Sequence, residues 1–400
     1  MNLFPDQEAA CQLVKREQFS IVTGGAGTGK STVVSAIIQE HSRPGLRISL
    51  AAPSGKAAKR LAEVTGKPAG TIHRLLEPTK VKGGFTFARN AQRMLDADLI
   101  VIDETSMVDI SLMASLMDAV SPATKVVLVG DHYQLPPVGP GSPFRDLLAS
   151  QAVPAAELNI IKRQKDGLII ENAHRIKNGQ DIVVDNEHAK DFFFIGRTDE
   201  AAILAKIVDF FSSDLLKSRG ADPLRDVQVI SPLREKTLLS CKSINAELQK
   251  KLNPRDLVPG CPFKVGDKVI QTRNDYDNNI VNGDMGFVSN IDRGEKLIRV
   301  NFENPDRKVD LPLRGNDLDL AYAVTVHKSQ GSEWPIIIMP IHKNFGNRLP
   351  QRNLLYTAVT RAKQLLILVG DRDEIPKIVR RNEQGRRFTN LAELLNGKSS

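Results

Sequence analysis

The segment 24–32, GGAGTGKST, has the residue types and spacing of a site for nucleotide phosphates. It fits the pattern G-x-x-x-x-G-K-[ST] at every fixed position. Glycines let successive backbone N–H groups point at phosphates, and a helix that follows adds the positive end of its dipole. We therefore expect Lys30 to reach the β- and γ-phosphates of a nucleotide and the Ser31 hydroxyl to bind Mg²⁺. The residues expected to contact the nucleotide are Gly25, Ala26, Gly27, Thr28, Gly29, Lys30, Ser31 and Thr32.

Acidic and amide side chains follow two other apolar runs. The run 99–102 ends at Asp103 and Glu104. A carboxylate at the end of a buried strand is unfavourable unless a cation compensates it. Asp103 is therefore predicted to hold Mg²⁺ and Glu104 to polarise the attacking water. Gln134 lies just beyond the run 126–129, where its amide is placed to sense the γ-phosphate.

The elements that must position these residues alternate between apolar β-type runs and helical stretches, a pattern typical of parallel α/β sheets. The expected strands are 19–23, 47–52, 99–102, 125–129, 227–230, 336–340 and 365–369, with a helix at 33–40 after the first. From 259 to 318 the sequence pattern changes to short runs of alternating apolar and polar residues, separated by turn signals. The runs 268–272, 286–291, 297–302 and 307–311 predict a small antiparallel β barrel inserted into an α/β domain.

A second insertion, 77–95, is predicted to form a basic hairpin around Gly83 and Gly84. Its two aromatic residues, Phe85 and Phe87, alternate with Thr86 and would project from one face of the hairpin arm. Two interpretations stay open with equal weight. The rings contact nucleic acid, or they pack on their own domain.

Composition narrows the class of protein. The chain has 400 residues, 41% of them hydrophobic, which is enough for two to three globular domains. Its net charge of +8 favours a polyanionic partner. Cys11, Cys241 and Cys261 lie too far apart for a zinc site or a disulfide framework. With no apolar run of membrane-spanning length and no signal peptide, we expect a soluble protein of the cytoplasm, or of the host cytoplasm if a phage encodes it.

Taken together, these segments resemble the superfamily 1 helicases, and within them the RecD-like branch that moves 5′→3′ and includes the phage Dda-type helicases. The matching segments are 4–7 (Q motif), 52–58 (motif Ia), 71–76 (the DNA-contacting segment after it), 103–107 (motif II), 130–137 (motif III), 162–164 (first arginine finger), 323–333 (motif V) and 355–362 (motif VI).

The resemblance assigns roles to further residues. Gln7 would read the adenine, and Gly331 and Glu333 would contribute to the nucleotide site. Arg163 and Arg361 would be arginine fingers, which agrees with the need for positive charge on the transferring phosphate beyond that of Lys30 and Mg²⁺. The residues that the resemblance and the hairpin pattern assign to DNA contacts are Pro53, Ser54, Lys56, His73, Phe85, Phe87, Pro136, Thr325, His327 and Ser329. Trp334 is predicted to be a packing residue.

The resemblance also implies an organisation: a first RecA-like domain at 1–150, a second at 151–258 and 319–400, a strand-separating pin at 77–95 and an SH3-like barrel at 259–318. Larger relatives carry a domain ahead of the Q motif, whereas this sequence begins directly at that motif. We therefore expect a compact motor core. The expected activity is ATP- and Mg²⁺-dependent unwinding of DNA by a monomeric motor. Its expected substrates are single-stranded DNA and junctions between single- and double-stranded DNA, with a single-strand-binding protein as a candidate partner and no membrane involved.

Three alternatives stay open. The motor acts on RNA, or it moves along single strands and removes bound proteins without opening a duplex. In a different class, the chain is a nucleotide-gated DNA-binding module with little turnover. The intact Lys30, Asp103, Glu104, Gln134 and Arg361 argue against this third alternative. A nuclease has no support, because the sequence holds no further carboxylate cluster with metal-ligand spacing.

Overall fold

The computed structural model describes residues 3–42, 44–81, 84–160, 167–275, 277–303, 306–346, 350–382 and 389–397, with the backbone alone for 80, 81, 84 and 85. The chain forms two compact units. The first comprises Met1–Asp166 and Glu383–Ser400, and the second Gly167–Asn382. Both contain parallel sheets with helices, so the predicted α/β class is confirmed.

The first unit contains a six-stranded parallel sheet in the order β3-β2-β6-β7-β1-β8 and a separate two-stranded antiparallel hairpin, β4-β5. Its elements up to residue 160 are α1 (Pro5–Arg16), β1 (Phe19–Gly24), α2 (Lys30–His41), β2 (Ile48–Ala52), α3 (Gly55–Thr65), β3 (Gly70–Thr71), α4 (Ile72–Leu75), β4 (Pro78–Val81), β5 (Gly84–Phe87), β6 (Leu99–Ile102), α5 (Ile110–Asp118), β7 (Lys125–Gly130), α6 (Pro143–Ser150) and β8 (Ala155–Leu158).

The central strands of this sheet are buried on both faces. In β6, Leu99 and Val101 belong to one hydrophobic cluster, whereas Ile100 and Ile102 belong to the cluster on the opposite face. Side chains alternate between the two faces of a strand, so burial on both sides requires an uninterrupted apolar run. The sheet is parallel, so β1, β6 and β7 bring the residues that follow them to one edge.

The second unit contains a five-stranded parallel sheet, β16-β10-β17-β18-β9, and a five-stranded antiparallel sheet, β14-β13-β12-β11-β15. Its elements are α7 (Leu168–Lys177), β9 (Phe192–Gly196), α8 (Glu200–Phe210), α9 (Asp214–Ser218), β10 (Val227–Ser231), α10 (Cys241–Leu252), β11 (Lys268–Gln271), β12 (Met285–Asp292), β13 (Leu297–Phe302), β14 (Arg307–Pro312), β15 (Leu318–Leu320), β16 (Ala323–Thr325), β17 (Trp334–Ile341), α11 (Arg352–Val359), β18 (Ala362–Gly370) and α12 (Glu374–Arg380).

The antiparallel sheet of the second unit, which we call the inserted sheet, has its own hydrophobic core. Val269, Val288, Ile298, Val300 and Phe302 are at most 1% exposed and belong to one cluster. The strands expected at 268–272, 286–291, 297–302 and 307–311 all form, each within one residue of its predicted bounds. The sequence did not predict β15, the strand through which the chain returns to the parallel sheet.

The boundaries of the two units differ from those predicted. The predicted border at 150 would place β8 in the second domain, but β8 pairs with β1 in the first unit. The Asp6 carboxylate also accepts hydrogen bonds from the backbone N–H groups of Asn159 and Ile160 at 2.8 Å. Near the C-terminus, α13 (Leu391–Leu395) belongs to the first unit rather than to the second, and the Thr389 hydroxyl donates to Asp146 beside it. These distant pairings leave no local signal in the sequence.

Within the described ranges, no helix is long and apolar enough to cross a membrane.

Candidate nucleotide and nucleic-acid site

The phosphate loop joins β1 to α2 and needs glycine at two positions. Gly27 and Gly29 have φ angles of 79° and 82°, in the left-handed region where a side chain is strained. A Cβ at Gly29 would also lie 2.5 Å from Nε2 of Gln7. Gly29 is the residue that precedes α2, so the loop delivers the chain directly to a helix N-terminus. This is the backbone that a phosphate group requires.

Hydrogen bonds to the loop backbone hold the Lys30 side chain over the phosphate loop. Its Nζ donates to the carbonyl oxygens of Gly24 and Gly25 at 2.7 and 3.0 Å. Phosphate oxygens carry a negative charge and are stronger acceptors than carbonyl oxygens. The ammonium group is therefore already positioned where a nucleotide phosphate would attract it.

The two carboxylates after β6 lie in an environment that suits a cation. Burial raises the pKa of Asp103 to about 6, with a further contribution from the charge of Glu104. The Glu104 backbone N–H donates to Asp103 Oδ1 at 2.8 Å and partly opposes this rise. Glu104 itself has a φ of 50°, and its buried Oε2 has no hydrogen-bond partner in the described part of the chain. A divalent cation would relieve the unfavourable proximity of the two charges.

Mg²⁺ fits this donor set only together with phosphate. No group of three or more His, Cys, Asp or Glu side chains among the described residues could hold a metal ion. Mg²⁺ is usually bound by one or two carboxylates and substrate phosphates rather than by an all-protein cage. Asp103 and Ser31 are the residues that would hold it, as the sequence predicts.

Gln134 is positioned by a residue that the sequence analysis did not select. Asp131 is fully buried at the end of β7 and accepts the Tyr133 N–H at 3.0 Å and Gln134 Nε2 at 3.4 Å. The Gln134 Oε1 and the Ser106 hydroxyl have no partner among the residues described. Both residues line a cavity of about 20 Å³, which has room for one water molecule. Asp131 could have been identified from its place in the segment Gly-Asp-x-x-Gln.

Gln7 supports the phosphate loop. Its side chain is fully buried. Its Oε1 accepts the Phe4 N–H at 3.1 Å, and its Nε2 donates to the Thr28 carbonyl at 2.9 Å. These contacts tie the start of α1 to the loop backbone. Adenine reading by Gln7 stays a prediction.

We expect Gln7→Ala to raise the KM for ATP about tenfold with little change in kcat, because a buried loop carbonyl loses its donor. Steady-state ATPase kinetics check this, and Gln12→Ala on the exposed side of α1 is the matched control. An unchanged KM for ATP combined with lost preference for ATP over GTP would contradict the support role and favour adenine reading.

The predicted nucleotide residues of the second unit are mostly buried. The Arg361 side chain is 3% exposed, and its guanidinium donates to the Thr357 carbonyl, the Ser332 carbonyl and the Thr360 hydroxyl at 3.0 to 3.3 Å. Gly331 is buried with a φ of 71°. Glu333 forms an ion pair with Lys363 at 3.6 Å. Their roles toward nucleotide stay predictions, and Arg163 lies outside the described residues.

Trp334 is 6% exposed and pairs with Ala362 in the parallel sheet, so the prediction of a packing residue is confirmed.

Two predicted DNA contacts in the first unit already make contacts within the protein. The Ser54 hydroxyl accepts the Ala57 N–H at 3.2 Å and caps α3, which leaves its O–H available as a donor. Burial lowers the pKa of His73, against a smaller opposite effect of Asp109. Pro53, Lys56 and Pro136 are partly exposed.

Of the two aromatic side chains in the hairpin, Phe85 and Phe87, the structure describes that of Phe87. Phe87 is partly buried, packs against the hydrophobic cluster of the first unit and lies 5.9 Å from the His73 ring. This supports packing rather than base stacking for Phe87. The side chain of Phe85 lies outside the described part.

Motif V separates into an exposed and a buried portion. His327 is exposed and Thr325 partly so, whereas Ser329 is fully buried. The Ser329 hydroxyl donates to the Val326 carbonyl at 2.7 Å and so stabilises the 3₁₀ turn His327–Ser329. The Ser329 hydroxyl is thus enclosed by its own turn, and its direct contact with a phosphate stays a prediction.

Comparison with known proteins identifies the family. Residues 2–197 match the AAA domain, 244–302 the SH3 domain of ATP-dependent RecD-like DNA helicases, and 320–369 the UvrD-like helicase C-terminal domain. The chain is 32% identical over 429 residues to the RecBCD enzyme subunit RecD of Mycolicibacterium smegmatis, which covers 98% of this chain and 75% of that protein. The chain belongs to the RecD-like family of superfamily 1 helicases.

Another RecD-like relative is longer. The ATP-dependent RecD2 DNA helicase of Deinococcus radiodurans is 36% identical over 378 residues, 92% of this chain and 49% of that protein. The chain thus spans about half the length of that relative. Among solved structures, it is similar to Pif1 helicase at forked double-stranded DNA, with a TM-score of 0.58, 22% identity and 92% of each chain covered. Bacteroides Pif1 with ADP-AlF3 and single-stranded DNA gives a TM-score of 0.53 at 21% identity over 94% of each chain. At these identities the likeness shows the fold.

Proposed function

We propose that this RecD-like chain is an ATP-dependent motor that moves 5′→3′ along single-stranded DNA and opens the duplex ahead of it. The observation that carries the proposal is the set of groups at one edge of the first unit's sheet. The phosphate loop with Lys30 follows β1, Asp103 and Glu104 follow β6, and Asp131 orients Gln134 after β7. Phosphoryl transfer to water needs these three kinds of group.

Each group has a defined task in ATP hydrolysis. Lys30 and the loop N–H groups bind the phosphates, and Ser31 and Asp103 are the residues for Mg²⁺. Bound Mg²⁺ would neutralise charge that develops on the phosphates. Glu104 accepts a proton from the attacking water, which its unpartnered Oε2 permits. Gln134 orients that water through Oε1, while Asp131 fixes the other end of the amide.

The proposed nucleic-acid contacts come from side chains that are exposed or partly exposed in motif Ia and motif V. Ser54 and Lys56 at the start of α3, with Thr325 and His327 in motif V, would contact phosphates without reading bases. The Deinococcus radiodurans protein, which is 36% identical, is an ATP-dependent DNA helicase by its name, which favours DNA over RNA as substrate. We propose that the motor works as a monomer.

The hairpin β4-β5 is the proposed strand separator, and hydrogen bonds and ion pairs close its base. Glu77 has a φ of 55°, and its carboxylate accepts Nε and Nη2 of Arg89 at 2.8 and 2.7 Å. Arg93 contacts the other carboxylate oxygen at 3.2 Å. Backbone hydrogen bonds from Ala88 to Glu77 and from Arg89 to Leu76 extend the ladder below the strands. A strand separator must keep its shape against the duplex, and we expect these contacts to hold the two arms of the hairpin together at the base. The SH3-like barrel at 259–318 remains part of the proposal, with the inserted sheet as its described portion.

We expect unwinding of a duplex with a 5′ overhang and little or none with a 3′ overhang. Strand displacement with both substrates, in the presence and absence of ATP, measures activity, substrate and polarity together. Matched RNA duplexes test the RNA alternative. Displacement of a protein from a blocked end without duplex opening would favour the translocase. Unwinding from a 3′ overhang alone contradicts the polarity.

A further inference from the structure

A buried carboxylate joins the inserted sheet to the rest of the second unit. Asp267 is fully buried and accepts four hydrogen bonds. Oδ1 accepts Asn253 Nδ2 at 2.7 Å and the Tyr322 hydroxyl at 2.9 Å. Oδ2 accepts Gln249 Nε2 at 2.5 Å and the Lys264 N–H at 2.7 Å. The donors belong to α10, to the chain that leads into the sheet and to the chain that leaves it.

Two further buried amides hold the outgoing segment 320–323. Gln228 of β10 donates from Nε2 to the carbonyl oxygens of Ala321 and Tyr322, both at 3.0 Å. Asn245 of α10 donates to the carbonyls of Leu320 and Ala323 at 3.1 and 3.0 Å, and its Oδ1 accepts the Ala323 N–H at 2.7 Å. The Tyr322 hydroxyl and most backbone groups of the segment 320–323 therefore each have a defined hydrogen-bond partner.

This segment leads directly into motif V. Ala323 starts β16, and Thr325 and the exposed His327 follow within four residues. We propose that Asp267 is a positioning residue that couples the inserted sheet to motif V, so that the arrangement of the residues that grip the nucleic-acid strand depends on this buried network. The proposal rests on the function proposed above, since it assigns motif V to strand contact.

The chemistry of the four contacts explains why an acid is required. All four donors are neutral, and a carboxylate can accept at both oxygens. An asparagine has the same shape but presents an NH₂ group to at least one of these donors. A fully satisfied buried polar network specifies one arrangement of its parts, whereas a partly satisfied one loosens it. Asp267→Asn thus changes the coupling with little change of volume.

The test compares Asp267→Asn with Asp310→Asn. Asp310 lies in the same sheet, but its carboxylate is exposed and pairs with Arg299. With a single-stranded oligonucleotide, we expect Asp267→Asn to raise the strand concentration for half-maximal ATPase about tenfold, the scale of one hydrogen bond to a charged group. Base pairs opened per ATP on a forked duplex should fall, while ATPase without DNA and the KM for ATP stay unchanged. Asp310→Asn should match the wild type in all four measurements.

Tyr322→Phe keeps the test decisive if Asp267→Asn does not fold. It removes one of the four donors and keeps the ring, so it should shift the same two quantities in the same direction by a smaller factor. The proposal is overturned if a folded variant of either kind has a lower melting temperature but wild-type strand affinity and coupling, because that is the result of a structural role alone.

Hydrogen exchange tests the coupling to motif V without depending on ATP hydrolysis or unwinding. Hydrogen exchange of the amides in His327–Ser329 should be faster in Asp267→Asn than in the wild type and unchanged in Asp310→Asn. If the wild type neither hydrolyses ATP nor opens the fork, the proposed function fails, and the exchange result still decides the coupling. Equal exchange in all three proteins overturns it.

Discussion

Replacing Lys30 with alanine is expected to reduce DNA-stimulated ATP hydrolysis by a factor of about 10²–10³, the effect of removing one preorganised charge-stabilising group. The ammonium group lies over the phosphate loop through its bonds to Gly24 and Gly25, and no other lysine is part of that loop. Phosphate release measured with saturating single-stranded DNA checks the prediction.

The control for this variant is Lys15→Ala. Lys15 forms an ion pair with Glu40 on the surface of the same unit and has no place in the loop. It should hydrolyse ATP at the wild-type rate. If Lys30→Ala retains a tenth or more of the wild-type rate with an unchanged melting temperature, the assignment of the phosphate loop as the hydrolytic site is wrong.

Shortening the hairpin is expected to abolish unwinding while ATP hydrolysis continues. Thr79 and Thr86 pair across β4 and β5, so replacing residues 80–85 with Asn-Gly closes the same pair with a two-residue turn. The change removes the tip and retains Phe87, the salt bridges of Glu77 and the packing below. Opening one base-pair step costs about 1.4 kcal/mol on average, so a motor without a wedge loses its means of holding the strands apart.

Two measurements on this variant separate the outcomes. DNA-stimulated ATPase and movement along single strands should stay near wild type, while displacement from a 5′-tailed duplex falls below detection. Phe87→Ala serves as the packing control and should lower the melting temperature, since its ring packs against the cluster of the first unit. If the shortened hairpin unwinds normally, the separator lies elsewhere, and the inserted sheet is the next candidate.

The sequence alone determined those parts of the protein whose physics is local. The phosphate loop depends on nine consecutive residues, because glycine backbone geometry and one lysine suffice for its chemistry. The strands beside it could be predicted because β6 and β7 are buried on both faces and therefore read as unbroken apolar runs. The acids after β6 followed from the same reasoning, since a polar residue at the end of a buried strand needs a partner.

The tertiary structure determined which side chains are accessible to a ligand and which are enclosed by the protein. Ser329 and His327 stand two residues apart in one motif, yet the first is enclosed by its own turn and the second is exposed. β8, an Ala- and Glu-containing run, became a strand only because β1 offered it an edge. Asp267 receives donors from as far as Tyr322, 55 positions away. Burial and hydrogen-bond partners of this kind are set by residues distant in the chain, so no local pattern in the sequence records them.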